Sequence, residues 1–180
     1  MLEIKTLEIS GFASVFQALK LPFGKECRSV CNASFDIGVG MLVNSETSSV
    51  ISPKVLQLLS TLVKRGDEHA KYIRGLIVYA KINAPRYYWQ EMDTYRIGTE
   101  RLSSESTMHI EGKGLSIEEL VKMKSELKEG TMQKRIQMFS YQALRRIYIQ
   151  RRNHRLPEWR TFCDWIETLP FAKELILNNI

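Results

Sequence analysis

The chain has 180 residues, 44% of them hydrophobic, and carries a formal net charge of +6 from 26 Lys and Arg against 20 Asp and Glu. That length suits a single domain, 1–180, with a sizeable core, and the basic excess favours anionic partners. No apolar run reaches the roughly 18 residues of a membrane span, the opening MLEIKTLEIS is too polar for a signal peptide, and three Cys cannot all pair, so a soluble protein of the reducing cytoplasm is expected.

In chain order, Leu2 to Ile9 alternates apolar and polar residues as a half-exposed strand does, and Phe12 to Leu19 reads as a short helix before Pro22. Cys27 and Cys31 have the spacing of helix neighbours, not of a CxxC redox or zinc pair. Gly38 to Ser52 reads as a turn-rich connector. Ser52 as cap and Pro53 in the first turn open a helix through Lys64, lined on one side by Val55, Leu58, Leu59 and Leu62 and stopped by Gly66. Leu76 to Ile82 is a second strand. Pro85 then opens an aromatic helix in which Tyr88, Met92 and Tyr95, spaced by four and three, share a face, and Gly98 ends the pattern. Leu115 to Lys128 is a charged amphipathic helix, its first turn suited by Ser116, Glu118 and Glu119, its stop at Gly130. Met132 to Arg160 mixes aromatic and aliphatic residues with Arg145, Arg146, Arg151, Arg152 and Arg155, predicting helix that packs one face and presents guanidinium groups on another. No repeat, low-complexity run or internal boundary interrupts the chain.

Chemistry concentrates between Ala84 and His109. After Gly98, the residues Thr99, Ser103, Ser104, Ser106 and Thr107 stand among Arg96 and Arg101, and hydroxyls, backbone N–H groups and guanidinium forks together suit a phosphate. Glu105 suits a ribose hydroxyl or a helix cap. The competing reading is a solvated Ser-rich loop following a core helix. Arg151 and Arg152 divide in the same way, between a solvated basic face and bidentate contact with a phosphate. His69, His109 and His154 show no Ser-His-Asp or metal-ligand spacing, so no metal site is predicted, and only His109 lies close to the Ser-rich segment. Glu91 and Asp93 diverge on a helix and form no carboxylate dyad. Nucleic-acid binding ranks third: Tyr141, Tyr148 and Trp159 beside basic residues suit base stacking, but no zinc-finger, RNP or Walker pattern occurs.

The same segment resembles the signature region of flavin-dependent thymidylate synthases, in which an Arg-His-Arg triplet at a helix end is followed, after seven residues, by Ser. Thr94, Tyr95, Arg96 and Ser104 occupy those positions, preceded by Ala84 and Pro85 and the aromatic run Tyr87, Tyr88 and Trp89. Cys27 to Gly38 is similar to the family's N-terminal Arg-containing helix and Ser-Phe-Asp turn. Lys64, Arg65 and Gly66 stand where a Gly-His pair begins, and Leu144 to Arg160 is similar to the final helical region, with Arg151, Glu158 and Arg160 as matches. The resemblance implies an α/β (α+β) fold in which a small mixed sheet packs with helices, and a homo-oligomer, a tetramer, with sites assembled between subunits. It also implies FAD and a folate donor serving methyl or hydroxymethyl transfer to a pyrimidine deoxynucleotide such as dUMP.

Departures from the pattern redirect this expectation. Thr94 and Tyr95 replace two members of the flavin-holding triplet, Arg101 and Leu102 replace an Asn-Glu pair, and Ser106 replaces an Arg that would meet phosphate. Gly66-Asp67 stands for the Gly-His, and Tyr72 and Ile73 for a Glu-His. The favoured reading is therefore a nucleotide-binding protein that captures or senses its ligand without the standard flavin chemistry. Its phosphate-binding candidates are Arg96, Thr99, Arg101, Ser104, Glu105 and Ser106 with Arg151, Arg152 and Arg160. Candidate base or flavin contacts are Tyr88, Gln90, Glu91, Tyr95 and His109. A viral protein sequestering a nucleotide in host cytoplasm fits the same description.

Overall fold

The computed structural model describes residues 1–24, 33–36, 41–44 and 53–178. Its centre is a four-stranded sheet made by β1 (Glu3–Ser10), β4 (Ile77–Pro85), β5 (Thr99–Ser104) and β6 (Met132–Ser140), in the order β1-β4-β6-β5. β2 (Ala33–Asp36) and β3 (Met41–Asn44) form a separate antiparallel pair. The small sheet is as expected, but its pairing is antiparallel throughout rather than mixed, because β6 inserts between β4 and β5 and runs against both.

Strand alternation places Val78, Ala80, Ile82 and Ala84 of β4 and Phe139 of β6 on one fully buried face. The helices α3 (Arg86–Met92), α6 (Tyr141–Arg151) and α7 (Pro157–Glu167) supply the aromatic core. Phe139 meets Phe162 edge-on at 5.5 Å, and Tyr88 lies 4.7 Å from Trp159. Such rings carry large apolar area into the core and lock orientation through their edges. Around this core stand α1 (Phe12–Lys20), α2 (Pro53–Lys64), α4 (Thr107–Ile110), α5 (Ile117–Ser125) and α8 (Ala172–Leu175).

Several boundaries move from their sequence expectation, each for a local reason. α2 begins at Pro53 as expected, but its buried line runs through Leu59 and Val63, while Leu58 is 48% exposed. The aromatic helix, with Pro85 as its N-cap, ends at Met92 and not near Gly98. Thr94 Oγ1 donates to the Glu91 carbonyl at 2.7 Å, and Tyr95 N–H donates to Met92 O at 3.0 Å, so both serve a turn. The Ser-rich stretch is a strand, β5, at the sheet edge. α5 has the expected cap, a reciprocal box between Ser116 and Glu119, yet stops at Ser125, before Gly130. Met132–Ser140 is strand rather than helix, since pairing on both sides outweighs the helix preference of its Gln, Lys, Arg and Met residues. Ser34, Phe35 and Asp36 lie in β2, not in a turn, and β3 interrupts the expected connector. Cys27, Cys31 and Ser52 lie outside the described residues. No helix among the described residues is long and apolar enough to cross a membrane.

Candidate functional site

The site grows from the turn that joins α3 to β5. Its start is held by the Thr94 and Tyr95 bonds just described, and Thr99 closes it by donating its hydroxyl to the Tyr95 carbonyl. Its far end is fastened to the sheet, where Ser140 N–H donates to Gly98 O at 2.7 Å. Gly98 has φ +77°, and a Cβ there would collide with Ser140 Oγ and press on Ala143 Cβ at 3.2 Å, so a side chain at this position would break the fit. The turn therefore presents Arg96 and Ile97 outward from a fixed base. Arg96 has no hydrogen-bond or ion-pair partner among the described residues.

Beside the turn lies an open cleft of about 450 Å³ lined by Asp93, Tyr95, Arg96, Thr99, Glu100, Arg101 and Gln137. On its other side a smaller cleft, about 270 Å³, shares Tyr95 and Arg96 and adds Thr94, Ile97, Ala143 and Arg146. Strand register explains the first. Thr99 pairs with Phe139, Arg101 with Gln137 and Ser104 with Arg135, which puts these residues on the helix-bearing face. The ladder shifts between Arg101 and Ser103, so Leu102 is an extra residue, and Ser104 returns to the face of Arg101 despite its odd spacing.

Two guanidiniums, Arg96 and Arg101, share this cleft with two carboxylates, Asp93 and Glu100. Arg135, buried over the Trp89 ring at 4.4 Å, donates Nη1 to Asp93 Oδ1 at 2.7 Å. Burial presses the Arg135 guanidinium below its ordinary value, and the Asp93 hydrogen bond opposes that shift. With Asp93 so engaged, Arg101 reaches its other oxygen only at 4.0 Å and remains half exposed. Ser104 and Glu105 line a neighbouring depression with Lys81 and Lys134. There the Lys134 N–H and then its ammonium hold the Glu105 carboxyl below the usual carboxylate range.

Arg151 is placed otherwise than a phosphate ligand would be. Its Nε donates to the Tyr95 hydroxyl at 2.7 Å, its Nη1 to Glu91 Oε2 at 2.8 Å, and its plane lies 4.6 Å over Trp159. Trp159 Nε1 donates to the same Glu91 oxygen at 2.8 Å, and His154 Nε2 stands 3.6 Å away. This network props the turn from beneath and engages two of the three guanidinium nitrogens.

Among the sequence-predicted residues, the structure brings Tyr95, Arg96, Thr99 and Arg101 into one cleft, with Ser104 and Glu105 next to it. Thr99 is buried and its hydroxyl is spent on Tyr95, so it shapes the wall. Glu91 and Arg151 lie under the turn. Tyr88 is wholly buried in the core, and Gln90 bonds Glu129 at 2.8 Å. Ser106 caps α4, where His109 is exposed. Arg152 lies over Tyr148 at 5.1 Å and Arg160 is exposed on α7; neither lines these clefts. Tyr141, Tyr148 and Trp159 are all buried, so these three rings are not open to a stacking base. Sequence reasoning missed Asp93, Arg135 and Gln137. Alternate-residue polarity within Met132–Ser140, read with period two, was the signal for the last two.

No protein-family model matches the sequence, and no curated protein does. Solved structures match over nearly the whole chain. Thymidylate synthase X (ThyX) from Helicobacter pylori, with FAD and dUMP, superposes with a TM-score of 0.66 at 13% identity, covering 98% of this chain and 97% of that one. The UMP/dUMP methylase PolB from Streptomyces cacaoi, bound with 5-Br dUMP, gives 0.61 at 11% identity, covering 98% and 95%. At these identities the likeness is one of fold, and this chain has, in divergent form, the fold of the flavin-dependent thymidylate synthases.

Proposed function

We propose that this protein binds a nucleotide by its phosphate in the cleft between the 94–98 turn and β5, and that it does so without flavin chemistry. The observation that carries the reading is the pair Arg96 and Arg101 facing one cleft while Asp93, 4.0 Å from Arg101, is engaged by buried Arg135 at 2.7 Å. Guanidinium forks on a fixed frame form charge-assisted, bidentate contacts with phosphate and lose little freedom in doing so. The dUMP in the Helicobacter pylori enzyme and the 5-Br dUMP in the Streptomyces cacaoi methylase support a nucleotide as the ligand class.

The residues present do not fit a flavin. Where the resemblance calls for two cationic donors, Thr94 gives its hydroxyl to the Glu91 carbonyl and Tyr95 engages Arg151. Arg151 in turn is held by Glu91. With the Thr94 hydroxyl given to the backbone and the Tyr95 oxygen accepting from Arg151, neither residue supplies the cationic donor that the resemblance calls for, whereas phosphate capture asks only for Arg96 and the half-exposed Arg101. The alternative, flavin- and folate-dependent one-carbon transfer to dUMP, would require that network to open. The resemblance further supports a homo-oligomer, a tetramer, and a cytoplasmic location.

Two measurements test the reading. A visible spectrum of the purified protein with added FAD is expected to show no bound flavin, and calorimetric titration with UMP and dUMP is expected to show binding. Arg96→Ala and Arg101→Ala should each cost about 1.5–3 kcal/mol, the worth of a hydrogen bond to a charged group. Unchanged affinity in both variants would mean that the phosphate lies elsewhere, and a bound flavin would restore the enzymatic alternative.

A further inference from the structure

At the floor of the cleft lies a group that folding does not explain. Gln137 sits mid-strand in β6 with only 3% of its surface exposed, and its Oε1 is buried without a hydrogen-bond partner among the described residues. Its Nε2 has no partner there either. On the β4 side its neighbours on this sheet face are apolar, Ala80 directly across with Val78 and Ile82 flanking, while along β6 it stands between Phe139 and the buried Arg135. A Leu or Val would complete such a surface at no polar cost, while a buried amide without partners is a standing penalty that native proteins seldom keep. Across the other ladder Gln137 pairs with Arg101, so the amide and one of the two phosphate-holding guanidiniums are neighbours on one face.

We infer that the Gln137 amide is the base-recognition group of this cleft, reading a nucleobase edge that sets an N–H donor beside a carbonyl acceptor. The inference rests on the reading of Arg96 and Arg101 as the phosphate holders and adds what lies at the ligand's other end. A carboxamide offers one acceptor and a donor in a single plane, and the N3–H and adjoining carbonyl of uracil present the complement. A cleft of about 450 Å³ is of mononucleotide size. Gln137 itself is nearly buried, so a ligand lacking the matching group leaves its amide unpaired.

Calorimetric titration of the full-length protein with UMP, ribose 5-phosphate and N3-methyl-UMP tests this. The wild type should bind UMP at least tenfold more tightly than either of the others. Gln137→Leu and the near-isosteric Gln137→Met should lower UMP affinity to the level of ribose 5-phosphate, leave ribose 5-phosphate itself unchanged, and melt no lower than wild type. Arg96→Ala should instead weaken all three probes by a similar factor. Equal wild-type affinity for UMP and N3-methyl-UMP, or unchanged UMP affinity in the Gln137 variants, overturns the inference, as does failure of every probe to bind. Should the Gln137 effect persist while Arg96→Ala and Arg101→Ala change nothing, the phosphate reading fails and the base-reading amide stands.

Discussion

Gly98 shows how much of the site one backbone angle controls. With φ +77° and Ser140 Oγ in the space a Cβ would need, Gly98→Ala adds left-handed strain and a collision with the start of α6. The variant should lose about 1–3 kcal/mol, seen as a lower urea midpoint, because both effects act on a position that cannot relax outward. Cys163 makes a second residue-scale case. Burial pushes its thiol up to about 12, so the group stays protonated and unreactive in the native protein. Iodoacetamide at pH 8 should leave the Cys163 peptide unmodified until urea is added. The linkage follows: the folded-state value is raised, so the contribution to stability is whole below the unfolded thiol value of about 8.5 and is lost as pH climbs toward 12. What could be read at this scale was local. Arg96, Thr99 and Arg101 announced themselves within a few residues of a glycine, whereas the capture of Arg151 by Glu91 joins residues 60 apart and has no sequence trace.

Among elements, the β5–β6 ladder decides the form of the cleft. β5 is an edge strand, blunted by charge, by short length and by the extra residue Leu102. Its end is tied down by Glu105, whose N–H donates to Lys134 O at 2.8 Å and whose carboxylate accepts from Lys134 N–H at 2.9 Å and Nζ at 3.0 Å. These contacts lower the carboxyl's folded-state pKa, so their stabilisation is present above the unfolded value and vanishes as pH falls through the lowered one. NMR protection of the Glu105 and Lys134 amides should therefore drop in acid below the ordinary carboxylate range, and Glu105→Gln should abolish that step. Several elements were visible from periodicity: β1, α1 and α2 lie within a residue of their expected ends, while β4, expected to stop at Ile82, runs on to Pro85. β6 was not, because Gln, Lys, Arg and Met favour helix when taken alone, and only the two flanking strands make an extended chain the better state. The Ser-rich segment became a strand through its single pairing with β6.

For the whole molecule, the resemblance in the Thr94–Ser104 segment led to the right fold even though the sequence identity to the solved structures is 11–13%. Within this chain the turn, the bulge and the cap each fix a chain length between anchored points. Assembly is a separate question, on which one helix bears. α5 buries none of its residues within the single chain, and Ile117 is 81% exposed. Light scattering is expected to give the mass of four chains, and the mass of one would set aside the tetramer. The turn itself carries a further consequence. Arg96 lines both clefts, and one guanidinium cannot serve two anions at full strength. If the proposed phosphate site is right, an anion held in the larger cleft would draw Arg96 away from the smaller one, and by thermodynamic reciprocity the penalty would be the same in either direction. Such negative coupling would need no change of shape.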